Sequence, residues 1–290
     1  MMQSGENTAG SNNRDGYSRL CFIFGAPRSG TTWIWGLLTS HPAVNSLNRE
    51  DFGGEPSTVG GKRLTSETGV FCNNKLDDAK IKAIIDKKLN NQPDKVFIER
   101  TPTHTLLSER ILALFPDARI IFLQRDPRAV VNSMLRSDFY SFARDVVDAT
   151  LQTKAYLRAY EAVKDRPNVL TVKYEDLLEY TEVTLRRVLD FLNLDSGPIT
   201  SMIDENDKRV KVDIAGVYRV GKADAYNEEL SPEDRRLIES ELFDYMQLLG
   251  YDTRMSGGKE ATVRAVGAER LRILIGLTKL NDFTGSETYT

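Results

Sequence analysis

The segment Gly25-Ala26-Pro27-Arg28-Ser29-Gly30-Thr31-Thr32 lies between an apolar run, Leu20 to Phe24, and a stretch that reads as a helix from about Thr32 to Ser40. Its glycine spacing is that of a phosphate-binding turn, in which successive backbone N–H groups and the start of a helix cradle an anion. One position departs from the pattern of nucleotide triphosphatases, because Thr31 stands where their phosphate-gripping lysine belongs. The treatment of a terminal phosphate and its Mg²⁺ must therefore differ from that of an ordinary kinase or NTPase.

A second anion site is legible further on. Arg125-Asp126-Pro127-Arg128 follows the apolar run Ile120 to Leu123, and Ser133 falls eight residues after Arg125, on the next helix. An arginine at a strand end can grip a phosphate with two parallel hydrogen bonds, and the first turn of the helix adds N–H groups and a hydroxyl. Two such sites at the ends of neighbouring parallel strands suit a nucleotide phosphorylated at both ends. A structural alternative for Arg125 is a salt bridge with Asp126.

The run Pro27-Arg28-Ser29-Gly30-Thr31-Thr32-Trp33 resembles the 5′-phosphosulfate loop of the sulfotransferases that use 3′-phosphoadenosine 5′-phosphosulfate (PAPS). Arg125 and Ser133 resemble the family's 3′-phosphate site, and Glu99-Arg100-Thr101-Pro102-Thr103-His104 is similar to the Glu-Lys-Thr-Pro segment of its glycan and Golgi-type members. Tyr218-Arg219-Val220-Gly221-Lys222 resembles the basic loop that covers the nucleotide. The resemblance implies that Arg28, Ser29, Gly30, Thr31, Thr32, Arg219 and Lys222 hold the donor, and that Trp33 stacks on adenine. It places Arg28 against the bridging oxygen, where an arginine donates charge but no proton. The count from His41-Pro42 matches Glu50 to the catalytic glutamate of the glycan 3-O-sulfotransferases, with Asp51, Glu55, Glu99 and His104 as rivals for the general base. Glu99 with Arg100 reads either as an orienting ion pair or as a cap before Pro102, and His104 either as a group titrating near neutrality or as an interior or capping histidine. The sulfuryl group carries less negative charge than a phosphoryl group, so cations and amide dipoles suffice and no metal is expected. The expected acceptor is a hydroxyl, less readily an amine, of a carbohydrate or other hydroxylated metabolite, with no nucleic acid as partner and no transmembrane segment.

The elements that must position these residues follow one rhythm. Leu20–Phe24, Val96–Ile98, Ile120–Leu123 and Val169–Val172 read as strands, each followed by a helical segment: Thr32–Ser40, Leu106–Phe115, Ala129–Leu135 and Thr181–Leu192. Uniformly apolar strands imply an α/β fold, a central parallel sheet flanked by helices with a P-loop-like nucleotide-binding edge. Asp77–Leu89 and Phe142–Val163 carry helical periodicity, and Ser231-Pro232-Glu233-Asp234 starts a helix that stops at Gly250. Asn45 to Asn74 is Gly- and Ser-rich, lacks periodicity and is expected to border the site. The expected organisation is a loose tail over residues 1–19, one sulfotransferase domain over 20–253, and an extension over 254–290 whose Val263–Leu280 helix docks on the domain or on a second copy in a homodimer.

With 39 basic and 42 acidic side chains the net charge is −3, which argues against a protein that works by coating nucleic acid or acidic membranes. A mean hydropathy of −0.38 describes an ordinary soluble chain, and no apolar run approaches the ~20 residues a membrane span needs. Two cysteines and two histidines cannot assemble an ordinary zinc site, and so few cysteines suit a reducing, cytoplasmic setting. Two alternatives stay open: a P-loop small-molecule kinase or NTPase with Asp126 as its acid, and a catalytically silent PAPS-binding module.

Overall fold

Five short strands pair in parallel, and the three central ones are buried on both faces, with a helical layer on either side. The computed structural model describes residues 16–55, 58–59, 62–63, 67–72, 75–137, 143–211 and 223–253. In chain order, β1 (Leu20–Phe24) leads into α1 (Thr31–Leu38) and β2 (Val44–Ser46). A 3₁₀ turn at Arg49–Phe52, the pair β3 (Thr58–Val59) and β4 (Lys62–Arg63), and α2 (Asp78–Asn91) follow. Then come β5 (Val96–Glu99), a 3₁₀ stretch at Pro102–Leu107, α3 (Ser108–Leu114), β6 (Arg119–Gln124) and α4 (Pro127–Leu135). The chain continues through α5 (Val146–Val163), β7 (Val169–Lys173), α6 (Tyr174–Glu179), α7 (Thr181–Phe191), α8 (Ile199–Lys211), α9 (Tyr226–Glu229) and α10 (Pro232–Leu248).

The sheet order is β2-β5-β1-β6-β7. β1 sits at the centre, with Phe22 opposite Glu99 of β5 on one side and Phe24 opposite Phe122 of β6 on the other. All strands point the same way, so Phe24, Glu99, Gln124 and Ser46 end on one edge. The chain crosses from one side of β1 to the other between β5 and β6, and it is at such a switch point that open α/β sheets bind ligands.

Side-chain alternation divides the core into two layers. Leu20, Phe22, Phe24, Ile120 and Phe122 face α2, α4, α5 and α10, while Cys21, Ile23, Ile121 and Leu123 face α1, α7 and α8. Each fully buried aliphatic or phenyl side chain contributes about 1.5 to 3 kcal/mol, which makes this pair of layers the main support of the sheet edge.

Several expected boundaries move for identifiable reasons. The helix expected from Phe142 begins at Val146, because Asp145 caps it by accepting from the Asp148 N–H at 2.8 Å. The segment 45–74 is not structureless: it holds β2, a 3₁₀ turn with an Asn48/Asp51 capping box, and the antiparallel β3–β4 pair. The helix expected from Leu106 is preceded by 3₁₀ winding from Pro102. α8 and α9 were not anticipated. Arg219, Lys222 and the Val263–Leu280 segment lie outside the described residues, as does most of the expected tail.

Candidate active site

The turn after β1 is built by two glycines that no other residue could replace without strain. Gly25 has φ 151°, and a Cβ there would meet the Leu123 carbonyl oxygen and Ser29 Oγ, each at 2.7 Å. Gly30 has φ 98°, and its Cβ would meet Tyr174 Cδ2 at 2.5 Å. Ser29 is buried and closes the turn by donating to the Ala26 carbonyl at 2.7 Å. Between the glycines Arg28 adopts φ 70°, a left-handed conformation that costs a residue with a Cβ about 1 kcal/mol or more and persists only where its surroundings enforce it.

One enforcer is Arg125, whose Nη1 donates to the Arg28 carbonyl at 2.9 Å while its guanidinium lies 4.4 Å from the Tyr174 ring centroid. The Arg28 side chain turns towards α4 and donates from Nε to Ser133 Oγ at 3.1 Å. The two anion sites expected from the sequence are thus adjoining, and Arg28 links them. The alternative reading of Arg125, a salt bridge with Asp126, gives way to another pairing. Asp126 caps α4 and is gripped by Arg128, whose Nη2 lies 2.7 Å from Asp126 Oδ2 and whose Nη1 lies 2.7 Å from Glu239 on α10. Asp126 is committed to the packing of α4, which removes the Walker-B-like acid of the kinase alternative.

α1 begins without a side-chain cap and without an acid in its first turn, whereas Asp77, Asp126, Asp145 and Ser231 cap α2, α4, α5 and α10. The N–H groups of its first turn carry the positive end of the helix dipole, which favours an anion at this end. Thr31 is buried, and Thr32 Oγ1 accepts from Arg100 Nη1 at 2.5 Å. Trp33 is half-buried and packs edge-on to Tyr174 at 5.6 Å.

At the end of β5 the second of the two expected readings holds: the Glu99 carboxylate accepts from the Thr101 N–H at 3.2 Å, at the turn before Pro102. Glu99 does not pair with Arg100. Its carboxylate is buried and accepts from Thr68 Oγ1 at 2.8 Å, from Thr101 Oγ1 at 2.6 Å and from His104 Nδ1 at 2.7 Å. Burial alone would raise its pKa, but the His104 charge and these hydrogen bonds hold it below the usual carboxylate range. His104 is fully buried, the interior of its two expected readings. Burial would lower it, yet the Glu99 carboxylate, with a further contribution from Cys72, pushes it up to about 10.

Arg100 is 1% exposed and pairs instead with Glu67, at 3.3 Å from Nη1 to Oε1. Its Nε and Nη2 are buried without a hydrogen-bond partner among the described residues, as are Arg125 Nε and Gln124 Nε2. Buried unpaired donors beside a glycine cradle fit an anionic group that supplies the missing acceptors. Glu67 was missed because nothing in its local sequence marks it. Only the fold carries it to Arg100, and partial burial raises its carboxyl above the usual range, with Arg100 opposing and Glu99 adding to that rise. Glu50 and Glu55 are exposed, Glu50 on the 3₁₀ turn that follows β2, and Asp51 is paired with Lys88 at 2.5 Å.

The comparisons agree with this geometry. A family model described as "Sulfotransferase family" matches residues 21–198. Protein-tyrosine sulfotransferase A of Caenorhabditis elegans is 27% identical over 203 residues, covering 62% of this chain, which spans about half (52%) of that relative. Nodulation protein NoeE of Sinorhizobium fredii is 22% identical over 287 residues, covering 84% of this chain and 68% of the relative. Among solved structures, the sulfotransferase domain of the Synechococcus PCC 7002 olefin synthase has a TM-score of 0.59 at 19% identity, covering 81% of this chain and 95% of that one. With the sheet, the glycine turn and the paired cationic sites all falling within the matched segment, the chain belongs to the sulfotransferase family.

Proposed function

We propose that this protein transfers a sulfuryl group from PAPS to a hydroxyl group by in-line displacement. The observation that carries the reading is the convergence on one sheet edge of an uncapped α1 N-terminus, a left-handed Arg28, and Arg125 and Ser133, each bonded to Arg28. The donor supplies the activated sulfuryl group and leaves as the 3′,5′-bisphosphate PAP. The backbone of Arg28 to Thr32 receives its 5′ end, Arg125 and Ser133 its 3′-phosphate, and Trp33 borders the base. Arg28 supplies positive charge where the leaving group becomes more negative, and Arg100 supplies it from beneath Thr32. Arg219 and Lys222 are proposed on resemblance alone to complete the cover.

The acceptor is proposed to be a hydroxylated metabolite or saccharide. The protein-tyrosine sulfotransferase relatives support a second reading, a tyrosine hydroxyl in a peptide. Two carboxylates compete as general base. Glu50 has the family count from His41, while Glu67 has the raised pKa and the Arg100 contact. A general base works best when its pKa approaches the working pH, which favours Glu67. A cytoplasmic setting is supported by two free thiols, and no helix among the described residues is long and apolar enough to cross a membrane.

Calorimetric titration with PAP and with adenosine 5′-phosphosulfate, which lacks the 3′-phosphate, tests the assignment. Loss of a charged hydrogen bond costs about 1.5 to 3 kcal/mol, so Arg125→Ala should weaken PAP by roughly 10- to 150-fold and the second nucleotide by clearly less, through the lost hold on the Arg28 carbonyl alone. Equal weakening of both, or ATP binding tighter than PAP in the native chain, would overturn it.

A further inference from the structure

Among the described residues, the exposed large apolar side chains are Leu178 (42% exposed), Tyr180 (55%), Val183 (70%) and Leu248 (48%). Single exposed apolar residues are ordinary on a soluble surface, but three of these fall within six positions, where α6 passes into α7, and form a patch. The same stretch, Tyr174 to Val183, holds four acids, Glu175, Asp176, Glu179 and Glu182, and no base. An apolar patch rimmed by one sign of charge suits a partner that is apolar on one face and basic beside it.

The chain itself leaves the sheet at this patch. α10 ends at Leu248, Gly250 turns the backbone at φ 71°, and the Tyr251 hydroxyl donates to Glu175 Oε2 at 2.9 Å while its ring centroid lies 5.0 Å from Lys173 Nζ. The other oxygen of Glu175 accepts from the Asp126 N–H at 2.9 Å, so the exit is pinned to the first turn of α6. Leu178 and Glu179 stand three and four residues along α6 from Glu175, which puts them on the same side of the helix, one turn on.

The sequence that follows has the complementary character. Val263, Val266, Leu274 and Leu277 are spaced so that they share one face of a helix, and from Val263 to Leu280 the bases Arg264, Arg270, Arg272 and Lys279 stand against one acid, Glu269. The nine residues from Arg254 to Thr262, with Ser256-Gly257-Gly258 among them, can span up to about 30 Å, ample for a return to α6. We propose that the segment Val263–Leu280 docks on this patch of its own chain, laying its apolar face on Leu178, Tyr180 and Val183 and its bases towards Glu179 and Glu182. Glu182 holds Arg186 at 3.1 Å in an exposed i,i+4 pair, a contact weak enough to be exchanged for a base of the segment. The docking needs no sulfuryl donor and stands apart from the proposed transfer reaction.

Hydrogen–deuterium exchange with peptide mass spectrometry on the full chain, without donor or acceptor, tests this. With Gly267 and Gly276 in its span, Val263–Leu280 is a poor helix on its own, so protection of its amides reports docking. Those amides should exchange at least about tenfold more slowly in buffer than in the urea-unfolded chain. Leu178→Glu with Val183→Glu, at two exposed positions, should remove that protection and leave the exchange of β1 and β6 unchanged. Should that variant fail to fold, Glu179→Lys with Glu182→Lys, which turns the rim against the segment's bases, decides in its place. Segment amides that exchange in buffer as fast as in urea, or protection that survives the substitutions, overturn the proposal. Protection that falls on dilution together with the loss of a dimer on sedimentation assigns the patch to a second copy and overturns it as well.

Discussion

At the residue scale, Glu67 and Glu50 separate what the fold brings together from what sequence counting picks out. Glu50 was legible through its distance from His41, yet it lies exposed beyond β2. Glu67 has no sequence signal, but its carboxylate sits 3.3 Å from a buried arginine that itself reaches Thr32. If Glu67 is the base, Glu67→Gln should lower kcat by about 10² to 10⁴ with PAP affinity retained, and Glu50→Gln should fall by less than tenfold. Steady-state kinetics at saturating donor decide this, and the reverse ranking restores Glu50. Arg28, Arg125 and Ser133 were each legible from the sequence, because strand-end arginines and a glycine turn have local signatures. Their mutual contacts were not, since Arg28 and Ser133 are 105 positions apart.

At the element scale, the position of α4 decides where Ser133 and Arg125 stand. The helix is capped by Asp126 and tied to α10 through the buried Arg128–Glu239 pair, with the Arg128 guanidinium also 4.7 Å from the Tyr226 ring centroid. Removing one member of a buried pair leaves a charge without its partner and costs about 3 to 5 kcal/mol. Because Arg128 retains Asp126, Glu239→Ala is expected near the lower end of that range. It should appear as a reduced denaturant midpoint, with PAP affinity changed by less than about threefold because the α4 cap stays intact. A midpoint unchanged from the native chain would show that α10 does not hold α4. The helix start at Ser231-Pro232 was readable from the sequence, and the Ser231 side chain does accept from the Asp234 N–H at 3.0 Å. What α10 packs against was not readable, because the Glu239 partner is 111 positions upstream.

At the scale of the whole molecule, the buried Glu99 network joins β5, the 67–72 segment and the 3₁₀ stretch from Pro102, and it makes stability depend on pH. A carboxyl whose folded pKa is depressed contributes stability above its unfolded value, about 4.5, and loses it as the pH falls through the lower folded value. The midpoint difference between the native chain and Glu99→Gln should therefore be largest between about pH 5 and 6.5, shrink below about pH 4.5 as Glu99 takes a proton, and shrink again towards pH 10 as His104 loses the one that Glu99 holds on it, as followed by thermal denaturation. A difference independent of pH over that range would mean that Glu99 acts by packing and not by charge. The sequence by itself determined the parallel α/β sheet, the glycine turn between β1 and α1, and the arginine at the end of β6, because each follows from contiguous patterns: apolar runs, left-handed glycines and helix caps. The tertiary structure alone decided that Glu99 pairs with His104 and Arg100 with Glu67, and that Asp126 serves α4. Those pairings join segments distant in the chain, and burial fixes them by leaving each charged group only the partners that the packed sheet edge brings within reach.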